Sequence, residues 1–297
     1  MDLSEGERDT TKCRQDRVWP ILEITMKITV ITPTWNQAEF IRKTIESVVT
    51  QTYQEIEYLI IDNCSEDGTE KIVKEYMEKY PYITYVREPD KGQAEAINKG
   101  FRRATGDIVC WINSDDFYYS NDVFETVVNA FTQNSAIQVL AGNGYYCDRS
   151  GNFTEPIPCD RKVPQWVLSR WYYILQPAVF WKRQPDMFLD EKYHYVFDWK
   201  YFILLQDRSP FTFIDKCFAA YRMYEDNKTG LDNAKRKKEI YLMQKELGKS
   251  RANTAWCKLV YRTYEKSEKT GKTKAKRFVN LLSRILFHIT GKRICSF

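Results

Sequence analysis

From Lys27 onwards, short apolar runs rich in β-branched residues alternate with stretches whose apolar positions recur at helical spacing. Ile28-Thr29-Val30-Ile31-Thr32 has the composition of a strand buried on both faces, and Pro33 stops it. From Ala38 to Thr50, Phe40, Ile41, Ile45, Val48 and Val49 fall near one face of a helix. Tyr58 to Ile61 predicts a second buried strand ending at Asp62, and Gly68 to Lys79 a helix capped by Ser65 or Asp67. A third strand is expected over Tyr82 to Val86, a third helix over Gly92 to Ala104, and a fourth strand over Asp107 to Ile112. Elements alternating in this way imply an α/β fold with a doubly wound, mostly parallel sheet.

After Asn134 the rhythm breaks. Gly142, Gly144, Asp148 and Gly151 punctuate short segments, as in a hairpin, and Pro156, Pro158 and Pro164 interrupt the chain further. A Trp- and Tyr-rich stretch follows, from Trp166 to Trp181, then a helix near Asp198 and a helix-prone, basic segment from about Gly230. This pattern divides the chain into a polar, aperiodic leader (1–25), a domain over 26–229 and a helical extension over 230–297. Within the domain, residues 26–134 form a regular first half and 135–229 a smaller, mixed second half. Met26 directly precedes the first strand and is read as the true start, with the leader an artefact of gene calling.

Charge sharpens the division. Residues 231–297 hold 18 Lys and Arg against five Asp and Glu, whereas the preceding 230 residues hold 27 against 35. A basic tail on a slightly acidic body points to an anionic partner. Leu281, Leu282, Ile285, Leu286 and Ile289 lie at helical spacing near Lys274, Lys276, Arg277 and Arg284. The stretch 274–290 therefore reads as a helix on an anionic membrane surface, or as one packed on the domain with a solvated basic face. Nothing in the chain resembles a nucleic-acid-binding module, and no nucleic-acid partner is expected. The eight cysteines are scattered without metal-ligand spacing, which fits reduced thiols and a cytoplasmic setting. No run approaches the roughly 20 apolar residues that span a bilayer, and no apolar secretory signal opens the chain.

Ligands of doubly wound sheets bind beyond the carboxyl ends of the strands. Those ends carry Thr32-Pro33-Thr34-Trp35-Asn36, then Asp62-Asn63 with Ser65, Asp67 and Gly68, then Arg87 to Gly92, then Asp115-Asp116. Each alone reads as a turn; four on one rim read as a site. Two carboxylates after a run as apolar as Ile108 to Ile112 repel each other unless a cation sits beside them. Hard oxygen ligands suit Mg2+ or Mn2+, which in turn suit a diphosphate. The alternative is a cap for the helix starting near Asn121. Lys91, with Arg87 or Arg102, would meet the same phosphates or stand as solvated surface. His194 and His288 are the only histidines, too few for a His-based metal site.

Four segments together resemble the donor half of glycosyltransferase family 2. They are Val30 to Asn36, Ile60 to Thr69, Gly92 to Gly100, and Ala104-Thr105-Gly106-Asp107 leading to Asn113-Ser114-Asp115-Asp116. The resemblance implies a GT-A fold with a Rossmann-like donor half, and inverting transfer from a nucleotide-diphosphate sugar to a saccharide or lipid-linked acceptor. It implies a bacterial surface polysaccharide or glycolipid pathway at the inner face of the plasma membrane. Carried onto this chain, Thr32, Pro33, Thr34 and Asn36 would line the nucleotide pocket with Asp62 and Asn63. Lys91, Gly92, Gln93 and Asn98 would serve the same donor. Asp115 and Asp116 match the metal motif, with Asp116 the more direct ligand of Mn2+ or Mg2+. The first position of that motif, often Asp, is here Asn113 or Ser114.

An inverting displacement needs one carboxylate to take the acceptor's proton. The resemblance places it at a helix start after an aromatic loop, where Asp198 stands, with Asp190 and Glu191 as rivals. Asp198 also suits the role of a helix cap. Gln176 and Trp199 would stand on the acceptor side, and Arg222, followed by Lys228 and Thr229, near the diphosphate. Two other classes compete: a nucleotidyltransferase, which would carry a Gly-rich basic signature after the first strand, and a non-catalytic nucleotide-sugar-binding partner.

Overall fold

The computed structural model describes residues 25–158, 167–170, 172–225, 233–271 and 273–289. The expected leader and the Lys228-Thr229 pair lie outside them. In chain order the elements are β1 (Ile28–Thr34), α1 (Ile41–Val49), β2 (Ile56–Asp62), α2 (Thr69–Met77), β3 (Ile83–Arg87) and α3 (Gln93–Arg103). There follow β4 (Ile108–Trp111), β5 (Phe117–Tyr118), α4 (Val123–Gln133), β6 (Val139–Cys147), β7 (Phe153–Ile157) and β8 (Val179–Lys182). The chain continues through α5 (Phe197–Arg208), β9 (Phe211–Arg222), α6 (Ala234–Leu247), α7 (Arg251–Thr270) and α8 (Lys274–Ile289).

The nine strands among the described residues join one sheet, ordered β3-β2-β1-β4-β8-β6-β9-β5, with β7 beside β6. The strands from β3 to β4 are parallel, as the βαβ rhythm predicts. Beyond β4 the sheet is mixed: β8 runs antiparallel to β4 and β6, β9 parallel to β6, and β5 antiparallel to β9. Although β5 lies in the first half by sequence, it closes the far edge of the second. The turn at Asp115-Asp116 redirects the chain across the sheet, so the two halves interleave.

Alternate side chains of the buried strands feed opposite cores, as the period of two requires. Val30, Ile60 and Cys110 meet α1, α2 and α4 on one face. Ile31, Leu59 and Trp111 meet α3 and α5 on the other. Helix α3 sits close on β1 because Gly100 has no Cβ: one built there would lie 2.6 Å from Ile31 Cγ2. The expected cap of α2 is also adjusted. The cap residue is Gly68, and Asp67 Oδ1 accepts the Thr69 N–H at 3.1 Å from one position earlier.

Trp111, the last residue of β4, is the seam between the halves. Its ring stacks on Phe202 with centroids 5.3 Å apart and meets Trp181 and Tyr201 edge-on at 5.5 and 5.8 Å. The extension is docked too. Met243 of α6 is fully buried in the core shared with α3 and α5, while Ala234, Val260, Tyr264 and Val279 make a small core among α6, α7 and α8. The described cysteines Cys64, Cys110, Cys147, Cys217 and Cys257 are free thiols. No helix among the described residues is long and apolar enough to cross a membrane.

Replacing Trp111 by Ala removes the central ring of the seam and is expected to cost about 3–5 kcal/mol. The loss is read as a lower urea midpoint with an unchanged slope; a midpoint equal to wild type would show that the seam does not depend on this ring.

Candidate active site at the carboxyl rim

The first two loops of the rim are tied to each other. Asn36, in the left-handed region at φ 52°, donates its N–H to Ser65 Oγ at 2.8 Å and accepts the Glu66 N–H on Oδ1 at 2.9 Å. Gln37 and Ala38 donate to Thr69 Oγ1 and Asp67 Oδ2. Asp62 is fully buried; Oδ1 accepts from Ser65 N and Oγ, and Oδ2 from the Tyr85 hydroxyl. Thr32 is buried against the Tyr58 hydroxyl at 3.1 Å. Pro33 and Thr34 are also buried, and Thr34 Oγ1 has no hydrogen-bond partner. The polar residues that motif reasoning put in a nucleotide pocket are thus bonded largely to one another along the rim, while Trp35 stands 61% exposed beside them. Its indole is the flat surface there, a feature the strand pattern gave no means of finding.

The third loop joins the second by Asn63, whose Oδ1 accepts the Asp90 N–H at 2.8 Å. Asp90 Oδ1 in turn accepts the Gly92 N–H, which sets the start of α3. From there Gln93 Nε2 reaches Asn113 Oδ1 at 2.7 Å, and Asn113 Nδ2 lies 3.3 Å from both Asp116 Oδ2 and Gln176 Oε1. Gln176 Nε2 closes this network on the Trp111 carbonyl at 2.7 Å. Lys91 is exposed at its edge. Asn98 is placed elsewhere: it is buried and holds the Leu189 backbone through both amide atoms and Glu191 through Nδ2.

The Asp115-Asp116 turn is held from several directions. Thr44 of α1 donates to the carbonyls of Ser114 and Asp116. The Arg222 N–H donates to Asp116 Oδ1 at 2.9 Å, and Tyr224 donates its hydroxyl to Asp115 Oδ2 at 2.9 Å. The buried Arg222 guanidinium donates to the carbonyls of Asp115, Asp148 and Arg149 at 2.7, 3.3 and 2.5 Å. Arg222, expected at a diphosphate, is therefore a brace for the acidic turn. Burial pushes both carboxyls up, and the Asp115 charge pushes Asp116 further, well above the usual carboxylate range. Asp116 is 1% exposed, whereas Asp115 is only half-buried. Thr44 and Tyr224 escaped sequence reasoning because each belongs to an element far from the acidic pair in sequence.

The donor set fits a hard divalent cation. Two adjacent carboxylates with raised proton affinity gain most from a nearby positive charge. No cluster of three or more His, Cys, Asp or Glu ligands occurs among the described residues. One or two carboxylates, with phosphate and water oxygens completing the shell, is the usual mode for Mg2+ with a phosphorylated substrate.

Across the rim, α5 starts at Phe197 with Val196 as cap residue, so Asp198 is the second helical position and not the cap. Its Oδ1 accepts the Trp199 N–H at 2.7 Å. Burial and the neighbouring Asp198 carboxylate push the Tyr172 phenol well above its ordinary range. Trp199 is buried, stacked on Tyr172 and bonded through Nε1 to the Leu168 carbonyl. A narrow cleft lined by Lys91, Gly92, Gln93, Tyr193, His194 and Phe197 brings this helix start against the α3 loop. The rivals are occupied. Although burial works in the opposite sense, hydrogen bonds from Lys200 and Lys192 hold the Asp190 carboxyl below its usual range. Glu191 pairs with Asn98, and with Arg102 at 3.7 Å.

Comparison with known proteins agrees with this geometry. The model of glycosyl transferase family 2 matches residues 29–224. Over 173 residues the chain is 30% identical to YibD, an uncharacterized glycosyltransferase of Escherichia coli, covering 54% of this chain and 50% of that protein. Over 124 residues it is 33% identical to the glycosyltransferase GlyA of Streptococcus pneumoniae, covering 42% of this chain and 18% of that one. The matches thus span half or less of these relatives. Among solved structures, S. aureus TarS 1–349 in complex with UDP-GlcNAc superposes with a TM-score of 0.59 at 18% identity, over 82% of this chain and 73% of that one. The mannosyltransferase PcManGT from Pyrobaculum calidifontis, in complex with GDP-Man and Mn2+, gives 0.55 at 16%, over 88% and 81%. At these identities the likeness is one of fold, and the fold is GT-A.

Lysine in place of Arg222 keeps the charge but cannot reach three carbonyls through a planar fork. Arg222→Lys is expected to lower stability by about 1–3 kcal/mol, seen as a reduced melting temperature; an unchanged melting temperature would remove Arg222 from its bracing role.

Proposed function

The chain belongs to glycosyl transferase family 2, and from that premise we propose that it moves a glycosyl group from a nucleotide-diphosphate sugar to an acceptor hydroxyl, with inversion. The observation that carries the reading is the braced acidic turn after β4, linked through Asn113 and Gln93 to the cleft that the start of α5 lines. The donors bound by two proteins of the same fold, UDP-GlcNAc and GDP-Man, support a nucleotide-sugar here.

In this reading the nucleoside lies along the wall formed by Thr32, Pro33, Thr34, Asn36, Asp62 and Asn63, with the Trp35 indole as a stacking surface. Lys91 and the Gly92-Gln93 backbone face the diphosphate, whereas Asn98 and Arg222 act at one remove by holding their loops. Asp116 and Asp115 would hold Mn2+ or Mg2+, which supplies charge neutralisation to the departing diphosphate. Asp198 accepts the acceptor's proton as the acceptor oxygen bonds the anomeric carbon and the bond to the diphosphate oxygen breaks. Gln176 and Trp199 shape the acceptor side, and the surrounding rings exclude water, so that transfer outruns hydrolysis.

A saccharide or lipid-linked acceptor of surface polysaccharide or glycolipid assembly suits α8. Phe278, Leu281 and Ile285 are 60, 55 and 42% exposed at spacings that share one side of that helix, beside exposed Lys274 and Arg277. No carboxylate occurs from 271 to 297. This is the character of a helix lying on an anionic membrane surface, at the inner face of the plasma membrane.

Thermal melts against UDP, GDP, dTDP and their sugars, with and without Mn2+, test the donor reading. One nucleotide is expected to raise the melting temperature, its binding stabilising the fold by about 2.7 kcal/mol at 100-fold over its Kd, only with metal and only while Asp116 is intact. No shift in wild type would leave a shared fold without donor binding. A second measurement tests the membrane reading: the chain is expected to sediment with phosphatidylglycerol vesicles but not with phosphatidylcholine, and Leu281→Asp to release it. Failure of the wild type to sediment with anionic vesicles would overturn it.

A further inference from the structure

Two carboxylates of α6 grip the segment that leads into α5. Glu239 accepts the His194 N–H on both oxygens at 3.0 Å, and the Tyr195 N–H on Oε2 at 2.7 Å. About two turns further on, Glu246 accepts from Lys192 Nζ at 2.6 Å, from the Tyr193 hydroxyl at 3.0 Å and from Lys200 Nζ at 2.6 Å. Hydrogen bonds from Lys192 and Lys200 hold the Glu246 carboxyl down at about 2, so it is ionised at neutral pH. Between the two, Met243 is fully buried in the main core, which shows that this face of α6 looks onto the domain.

The grip falls where the local sequence provides none. Val196, the cap residue of α5, makes no side-chain cap bond, and the N–H groups of 194 and 195 find their acceptor on another element. An ionised carboxylate at a helix start is also favoured by the helix dipole. The other side of the segment faces the rim, where a Cβ at Gly92 would sit 3.5 Å from His194 Nδ1. Residues 193–195 are thus clamped between α6 and the α3 loop, and Asp198 follows within one turn. Helix α6 lies wholly beyond residue 224, where the family match ends.

We infer that Glu239 and Glu246 are positioning residues, which fix the backbone at 193–195 and thereby hold Asp198 in register with the rim. The inference rests on the reading of Asp198 as the base. It makes the extension part of the site's architecture and not an appendage.

Hydrogen–deuterium exchange on the full chain tests the clasp without any donor. In Glu239→Ala the amides of 193–199 are expected to exchange about tenfold faster, while peptides of β1 to β4 stay as in wild type. Glu239→Gln keeps an acceptor oxygen and is expected to remain near wild type. Unchanged exchange over 193–199 in Glu239→Ala overturns the clasp whatever the donor is.

Release of nucleoside diphosphate from UDP-, GDP- and dTDP-sugars with Mn2+ gives the second arm. Glu239→Ala is expected to lose about tenfold or more in kcat with the donor KM unchanged, and Glu239→Gln to recover most of it. Full kcat in an alanine variant whose segment exchanges fast would show that the loop need not be held, and the positioning role falls. Asp198→Asn separates the two readings: wild-type turnover there refutes the base, while the exchange arm still decides the clasp.

Discussion

Two adjacent carboxylates at the end of a fully apolar strand are the constraint around which this molecule is arranged. Asp115 and Asp116 come just after β4, past Ile112-Asn113-Ser114; the residues of β4 are all buried, and Asp116 is buried with them. Charge in such a place is tolerated only when hydrogen bonds or a cation compensate it. The protein supplies such bonds to the carboxylates from Asn113 in the same turn, from Arg222 at the end of β9 and from Tyr224 just past it, while Thr44 on α1 holds the carbonyls of the turn. What these donors leave uncompensated is the repulsion between the two carboxylates, which is the affinity a divalent ion would use.

The same turn explains the unusual path of the sheet. By crossing from β4 to β5 at the far edge, the chain places the end of β9 beside the acidic pair, and Arg222 can then brace it. The aromatic seam around Trp111 packs β4 against α5, the helix that carries Asp198 in its first turn. Rigid elements are better carriers of such a residue than loops. The loops of the rim are themselves tied, through Asn36 to Ser65 and through Asn63 to Asp90.

Charge pairing sorts the acidic residues of the second half into separate tasks. Asp190 and Glu246 share Lys200 and Lys192, and Glu191 and Leu189 are anchored on Asn98. These pairs fasten the segment before α5 to α3 on one side and to α6 on the other. Asp198 lies next to the buried Tyr172.

Much was legible in the sequence because it depends on local period and composition. Alternating β-branched runs and amphipathic stretches determined the α/β architecture, since a strand buried on two faces and a helix buried on one leave different apolar periods. The rim motifs announced the acidic turn and the start of α5, because turn chemistry is a property of neighbouring residues. What only the tertiary structure decided involves partners distant in sequence. Arg222 binds carbonyls 73 to 107 positions away, Asn98 serves a loop 91 positions on, and Glu239 holds the segment leading into α5, 44 or 45 positions behind it. A side chain's chemistry says what it can bond, but which bond it makes is settled by where the backbone brings an unsatisfied group. That is a property of the packed sheet and helices and not of any stretch of chain.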